Sequence, residues 1–362
     1  MSNEIFIRIW YTLYMSKKEE SNIALYTKYR PENFDEVIGQ DHIVNAIRGS
    51  ISAGKVSHAY LLSGPRGTGK TTIARIIARE LGTSVNDIYE MDAASNRKIE
   101  DARDIRESVR TMPFDSKYKV YILDEVHMLT KEAWNALLKT IEEPPEYVVF
   151  ILATTELAKV PETIISRCQT FTFKKPTEKI LADIVNSTAK KEGYILEAGG
   201  AEVIALISDG AFRDALSTLQ KVISFSNSKK ISLEEILTVT GSPDITLVDD
   251  FLRAIAHRDI ERGYMAINAV SAQNSDMHLY MKMVLVKMRA ALLLRYAPKM
   301  AGIIPMSEKD KTFLGELVLE KPEHISSRAL SILLEAYQMS GHSSIKELPL
   351  ELALVKILNI EK

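Results

Sequence analysis

One cysteine, Cys168, is all the thiol chemistry that 362 residues carry. A single cysteine excludes a disulfide framework within the chain and any multi-cysteine zinc site, and it suits a reducing cytoplasm. Long apolar runs are missing too. The most hydrophobic early stretch, Ile5-Phe-Ile-Arg-Ile-Trp-Tyr-Thr-Leu-Tyr14, is short and broken by Arg8. It makes a poor signal peptide and is far too brief to span a bilayer. Residues 1–22 are expected to form a disordered extension, with residues 1–14 dispensable. Net charge is nearly absent, formally −2. The chain as a whole is therefore no electrostatic nucleic-acid binder, and any such contact needs a local basic strip.

What is present is apolar residue in quantity. A hydrophobic content of 46% with 26% charged residues supplies cores for two or three domains in a chain of this length. Short β-rich runs recur at Ala59–Ser63, Asp87–Met91, Val120–Leu123, Tyr147–Ala153 and Thr170–Phe173. Helical periodicity fits between them at 70–81, 98–110 and 131–142. Near-continuously apolar strands alternating with helices predict a five-stranded parallel sheet covered on both faces. Beyond Pro176 the strand signal stops. Helices are expected within 176–240 and near 244–257, 259–273, 276–296, 324–340 and 347–359, with a break at Gly241-Ser-Pro243. The expected organisation is an α/β domain over 23–175, a small helical domain over 176–241 and a second helical domain over 242–362. The methionines of Met277–Met288 fall at helical spacing and read as helix core.

The strongest chemical signal is Gly64-Pro-Arg-Gly-Thr-Gly-Lys-Thr71, which matches G-x-x-x-x-G-K-[ST] between a predicted strand and a predicted helix. Its glycines let successive backbone N–H groups curl around phosphate oxygens, and the helix N-terminus adds a favourable dipole. Lys70 is suited to the β- and γ-phosphates and the Thr71 hydroxyl to Mg²⁺. Further on, Val120-Tyr-Ile-Leu-Asp-Glu125 ends a buried strand on two carboxylates. Asp124 suits the Mg²⁺ shell and Glu125 a water attacking the γ-phosphate. Together the two motifs read as an ATPase core.

From about Ala24 to roughly Thr240 the sequence resembles the bacterial DNA polymerase III subunit gamma/tau family, clamp-loader ATPases of the AAA+ class. The carriers are Tyr29-Arg-Pro-Glu-Asn-Phe-Asp-Glu-Val-Ile-Gly-Gln40, the P-loop through Thr72, and Leu123-Asp-Glu-Val-His-Met-Leu129. They continue with Asn135-Ala-Leu-Leu-Lys-Thr-Ile-Glu-Glu-Pro-Pro145, Ala153-Thr-Thr155, Ser166-Arg-Cys168 and Gly210-Ala-Phe-Arg-Asp-Ala-Leu216. The resemblance implies an α/β P-loop AAA+ core followed by a small helical lid and a helical oligomerisation collar. It implies ATP and Mg²⁺ as ligands. It also implies nucleotide contacts from Gly64, Pro65, Arg66, Gly67, Thr68, Gly69, Lys70, Thr71 and Thr72, with Tyr29, Arg30, Pro31, Val37 and Ile38 folding over adenine and ribose. Thr155 would be a first sensor of the γ-phosphate and Arg213 a second, though by its residues alone Arg213 reads as a solvated arginine on a helix's first turn.

Arg167 would be an arginine finger supplied to the neighbouring subunit's nucleotide, where a planar, always-protonated guanidinium suits spreading phosphoryl charge. A surface-loop arginine is the plainer reading. Cys168 lacks a basic or histidine partner and reads as packing, and His127 as a local hydrogen-bonding residue. One departure stands out. The family's four-cysteine zinc module has no counterpart in Glu80–Tyr89, so no zinc is expected.

Helix 98–110 sets Ile99, Ala102, Ile105 and Val109 on one stripe and Arg103, Arg106 and Arg110 on another. By composition this is a solvated face laced with Glu100, Asp104 and Glu107. The resemblance implies that Lys98, Arg103, Lys139 and Lys159 track DNA phosphates in a central chamber. It further implies delta and delta-prime type subunits, other copies of the chain, a sliding clamp and primed template DNA as partners. The setting it implies is cytoplasmic and nucleoid-associated, with no membrane. The chain would be gamma-like, without the extension of tau forms. Two other readings are an AAA+ branch-migration type DNA-remodelling ATPase and a nucleotide-binding scaffold subunit.

Overall fold

A computed structural model describes residues 23–96, 98–299, 308–321, 324–341 and 343–358. The expected N-terminal extension lies outside the described residues. The described chain divides into two compact units, one of residues 23–181 with Ser208–Ser217, the other of Ala182–Ile207 with residues 218–358.

The first unit is built on five parallel strands: β1 (Ala59–Ser63), β2 (Ile88–Asp92), β3 (Lys119–Asp124), β4 (Val148–Thr154) and β5 (Gln169–Thr172), in the order β2-β3-β4-β1-β5. The three central strands are buried almost from end to end, while β2 and β5 lie at the edges and are largely exposed. That is why β1, β3 and β4 read as unbroken apolar runs: both of their faces are covered. Alternate residues sort into two cores. Leu61, Tyr121, Leu123, Phe150 and Leu152 pack with Ala102 and Ile105 of helix Ile99–Ser108 and Trp134, Leu137 and Ile141 of helix Lys131–Glu142. On the other face Tyr60, Leu62, Ile122 and Ile151 pack with Ile43 and Ile47 of helix Asp41–Ser52 and Ile73 and Ile77 of helix Lys70–Glu80. Tyr89, Tyr121 and Phe150 stack in a row across the sheet, with centroids 5.1 and 5.4 Å apart.

In the second unit a single core gathers helices Ile245–His257, Ile260–Ala272, Met277–Tyr296, Glu308–Glu320, Ser327–Ser340 and Leu348–Leu358. Met277, Met281, Met283 and Met288 are buried in it, as their spacing predicts. Two features differ from expectation. Helix Glu308–Glu320 carries Lys309, Asp310, Lys311 and three glutamates, so its apolar stripe is narrow and periodicity misses it. A two-residue parallel pair, Ile195–Leu196 with Lys230–Ile231, interrupts the helices after residue 176. Two residues are too few to show any period.

Asp87 is fully buried just before β2 and accepts hydrogen bonds from the N–H groups of Phe114 at 2.5 Å and Asp115 at 2.9 Å. Burial alone pushes its carboxyl up, but the donors of Phe114, Asp115 and Ser116 outweigh it and hold the group below the ordinary aspartate range. A depressed folded-state value adds stability above the unfolded value, and that stability is lost as pH falls through the folded value. Asp87→Asn is therefore expected to lose about 1–3 kcal/mol at neutral pH. Urea midpoints of the two proteins should converge as acid protonates Asp87.

Candidate nucleotide-binding site

The sheet brings the C-terminal ends of β1, β3 and β4 side by side, and the chemistry-bearing residues follow those ends. After β1, the loop Gly64–Gly69 turns into helix Lys70–Glu80 through glycines at φ +144°, +74° and +100° for Gly64, Gly67 and Gly69. Space as well as φ demands glycine at two of them. A Cβ on Gly64 would sit 2.7 Å from the Phe173 carbonyl oxygen, and one on Gly67 would sit 2.6 Å from the Ala211 Cβ. Hydrogen bonds brace the loop: Gly64 N–H donates to Thr154 O at 3.1 Å, Phe212 N–H to Gly67 O at 3.0 Å, and the Thr68 hydroxyl to Pro65 O at 2.8 Å.

Lys70 is buried and donates from Nζ to the Gly64 and Pro65 carbonyl oxygens at 2.9 and 3.0 Å. Burial lowers its pKa, against the raising influence of Glu125 and Asp124. The Thr71 hydroxyl donates to Asp124 Oδ2 at 2.6 Å, and Asp124 Oδ1 accepts from the Glu125 N–H at 2.9 Å. Glu125 holds φ +49°, a left-handed conformation that costs a non-glycine residue roughly 1 kcal/mol or more and is characteristic of functional turns. Its Oε2 accepts from the Thr155 hydroxyl at 3.1 Å. Lys70, Thr71, Asp124, Glu125 and Thr155, separated by up to 85 positions, thus form one cluster, 70 to 155. A hydroxyl and a carboxylate converging this closely form a hard-oxygen pair of the kind Mg²⁺ takes.

A second group adjoins it. Tyr29, Arg30, Pro31 and Val37 are half-buried and Ile38 is exposed. Arg213 lies with its guanidinium 4.9 Å from the Tyr26 ring centroid. Arg30 has its pKa lowered by burial and then by Arg75, with Arg213 adding to the effect and Glu90 opposing it. Arg75 itself is held by Glu90 through bonds of 2.7 and 2.6 Å. Gln40, almost fully buried, locks this segment to the end of the sheet, donating to Lys174 O at 2.7 Å and accepting from Lys174 N–H at 3.3 Å. Tyr26, Gln40, Arg75 and Glu90 were not singled out by sequence. Gln40 closes the quoted Tyr29–Gln40 motif, which was its one available signal.

The remaining predicted residues stand apart. Arg167 is exposed after the short helix Glu162–Ile165, donating to Thr163 O at 2.7 Å with Nε 3.1 Å from Glu142 Oε1. Lys98, Arg103 and Lys139 are exposed on the neighbouring helices Ile99–Ser108 and Lys131–Glu142, which pack together. Lys159 is tied to Glu156 at 2.9 Å. Cys168 packs against the apolar core, and burial pushes its thiol up to about 11, which keeps it protonated and unreactive.

A five-stranded parallel sheet with a glycine loop at β1, carboxylates at β3 and a hydroxyl at β4 defines a P-loop module of the AAA+ class. The solved structure of a Thermotoga maritima RuvB point variant is similar at 27% identity with a TM-score of 0.51, over 67% of this chain and 84% of that one. A family model described as DNA polymerase III, delta subunit, matches residues 82–177, and one described as magnesium chelatase, subunit ChlI, matches residues 33–121. The gamma subunit of DNA polymerase III from Buchnera aphidicola is 36% identical over 68% of this chain and 74% of its own length. The tau subunit from Bacillus subtilis is 37% identical over 92% of this chain. The chain belongs to the DNA polymerase III gamma/tau family. It spans 63% of the Bacillus subtilis protein and 57% of the gamma/tau subunit from Mycoplasma genitalium.

Gly64→Ala is expected to lose about 2–4 kcal/mol of stability and most nucleotide affinity, since both φ and space exclude a methyl group. Gly49→Ala, in an open helical position, should be neutral or stabilising. Thermal denaturation and nucleotide titration of the two variants check the contrast.

Proposed function

We propose that this chain is an ATP-hydrolysing motor subunit of a DNA polymerase III clamp loader, opening a sliding clamp and releasing it closed on primed DNA. The observation that carries the reading is the joining of the P-loop to the strand-end carboxylates: Thr71 to Asp124 at 2.6 Å, and Thr155 to Glu125 at 3.1 Å. Family membership at 36–37% identity supports the setting.

In this reading Lys70 exchanges its two carbonyl oxygens for β- and γ-phosphate oxygens of ATP. Thr71 and Asp124 would hold Mg²⁺, which when bound neutralises phosphate charge. Glu125 orients the attacking water, and Thr155 holds the far oxygen of that carboxylate. Tyr29, Arg30, Pro31, Val37 and Ile38 cover the base and ribose. Arg213 exchanges the Tyr26 ring for the nucleotide, so the lid over 176–241 follows what is bound, while 242–362 serves as collar. Arg167 lies outside the cluster and is the residue each copy supplies to its neighbour. Lys98, Arg103, Lys139 and Lys159 offer a local basic strip to DNA phosphates on a chain of low net charge. The partners are delta and delta-prime type subunits, further copies, the clamp and primed template, in the cytoplasm.

The likeness to RuvB, one solved structure of which is described as a Holliday junction branch migration motor, favours a second reading as a branch-migration ATPase. The likeness covers 67% of this chain, whereas the Bacillus subtilis relative covers 92%.

Lys70→Ala should abolish nucleotide binding. Arg167→Ala should bind ATP normally yet lose ~10³-fold in DNA-stimulated hydrolysis within the assembled loader. Assemblies combining the two variants should regain turnover, because one supplies the finger and the other the nucleotide. Full activity of Arg167→Ala would defeat the trans arrangement. Arg103→Glu with Lys139→Glu should lower stimulation by primed DNA and spare the basal rate.

A further inference from the structure

We propose that His127 is a positioning residue for Glu125, a role that rests on Glu125 orienting the attacking water. His127 is nearly buried, with 8% of its side chain exposed, on the turn that follows β3. Its Nδ1 lies 3.2 Å from the Thr154 hydroxyl and 3.4 Å from Glu125 Oε2. That oxygen also accepts from Thr155. Oε2 is therefore flanked on two sides, hydrogen-bonded by a hydroxyl and approached by a ring nitrogen, which leaves Oε1 as the oxygen for water. An anchor is needed because Glu125 sits at φ +49° on a turn and, among the described residues, its side chain has no hydrogen bond beyond the one from Thr155.

The ring is itself fixed from outside. Nε2 lies 3.5 Å from Glu156 Oε1, Glu156 is held by Lys159 at 2.9 Å, and the Glu156 N–H donates to Thr154 Oγ1 at 3.0 Å. Lys159 first, by hydrogen bond and charge, holds the Glu156 carboxyl below the usual range, so Glu156 stays an anion facing the ring. The imidazole thus has Glu125 near one nitrogen and Glu156 near the other, with Thr154 hydrogen-bonded to Nδ1. A misplacement of about 1 Å in such a site is worth as much as ~10²-fold in rate.

The test uses the full chain in its assembled loader with primed DNA. His127→Ala should lower kcat ~10- to 100-fold while KM for ATP and nucleotide affinity stay near wild type. Asparagine carries its amide where Nδ1 was, and glutamine where Nε2 was. His127→Asn should accordingly recover most of the lost kcat and His127→Gln little of it. An unchanged kcat in His127→Ala, or equal activity of the Asn and Gln variants, overturns the proposal. If the wild-type assembly turns over no ATP, the proposed function fails, and this inference is decided by NMR of the histidine rings. The His127 resonances, assigned by their loss in His127→Asn, should shift in both Glu125→Gln and Glu156→Gln, and resonances unmoved by either substitution overturn it.

Discussion

The 2.6 Å contact between the Thr71 hydroxyl and the Asp124 carboxylate is where the architecture becomes a site. It requires two residues 53 positions apart to meet at the end of one sheet, and parallel pairing is what brings them there. Strands that all run one way release their loops at one edge. The P-loop leaves β1, Asp124 ends β3 and Thr155 follows β4, while the β1–β4 and β3–β4 registers fix the lateral spacing. The bond from Gly64 N–H to Thr154 O extends that register by one step into the loop. A slip between β3 and β4 would move Asp124 relative to Thr71 and turn every strand side chain to the other core.

Burial then sets the electrostatics. Lys70 loses water on folding, which opposes its charge, yet Glu125 and Asp124 stand close enough to favour it. The two carboxylates disperse their own charge through donors, Thr71 and the Glu125 N–H on one, Thr155 on the other. Arg30, Arg75 and Arg213 bring three cations to one neighbourhood, and only Arg75 is neutralised by a bidentate carboxylate, Glu90. An excess of positive charge beside a glycine loop is the arrangement expected where polyphosphate is bound.

Much of this was legible in the order of residues because both signals are local. Strands β1, β3 and β4 announce themselves by continuous apolar runs, and the P-loop by the spacing of its glycines, which all take positive φ and at Gly64 and Gly67 also leave no room for a Cβ. The Asp124-Glu125 pair reads as chemistry only beside that loop. Contacts made through folding left no such mark. Tyr26 under Arg213, Glu90 on Arg75 and Gln40 on Lys174 join residues 15 to 187 positions apart, 90 from 75 and 213 from 26. Each is an ordinary residue made specific by its partner. His127 was legible as a hydrogen-bonding residue, but its two carboxylate neighbours were not. The strand pair at Ile195 and Lys230 is fixed by pairing and carries no pattern of its own.

Ion pairs in the two units show why Arg167 differs from a structural cation. Lys287 in the helical unit is 13% exposed and held by Asp249 and Asp310 at 2.6 Å each. Removing the lysine would leave two carboxylates facing each other without their shared cation, so that triad is fixed. Arg167 is 41% exposed, and its pair with Glu142 is 33% exposed on the acid's side at 3.1 Å. An exposed pair of this kind contributes about 0–1 kcal/mol. The guanidinium can therefore leave Glu142 for another anion at little cost, and a polyphosphate bound by a neighbouring copy offers more charge than one carboxylate. Under the proposed function, weak retention on an exposed loop is what a group donated between subunits needs. The cluster of Lys70, Thr71, Asp124, Glu125 and Thr155 lies within a single chain, and under the proposed function the remaining cation comes from the next one.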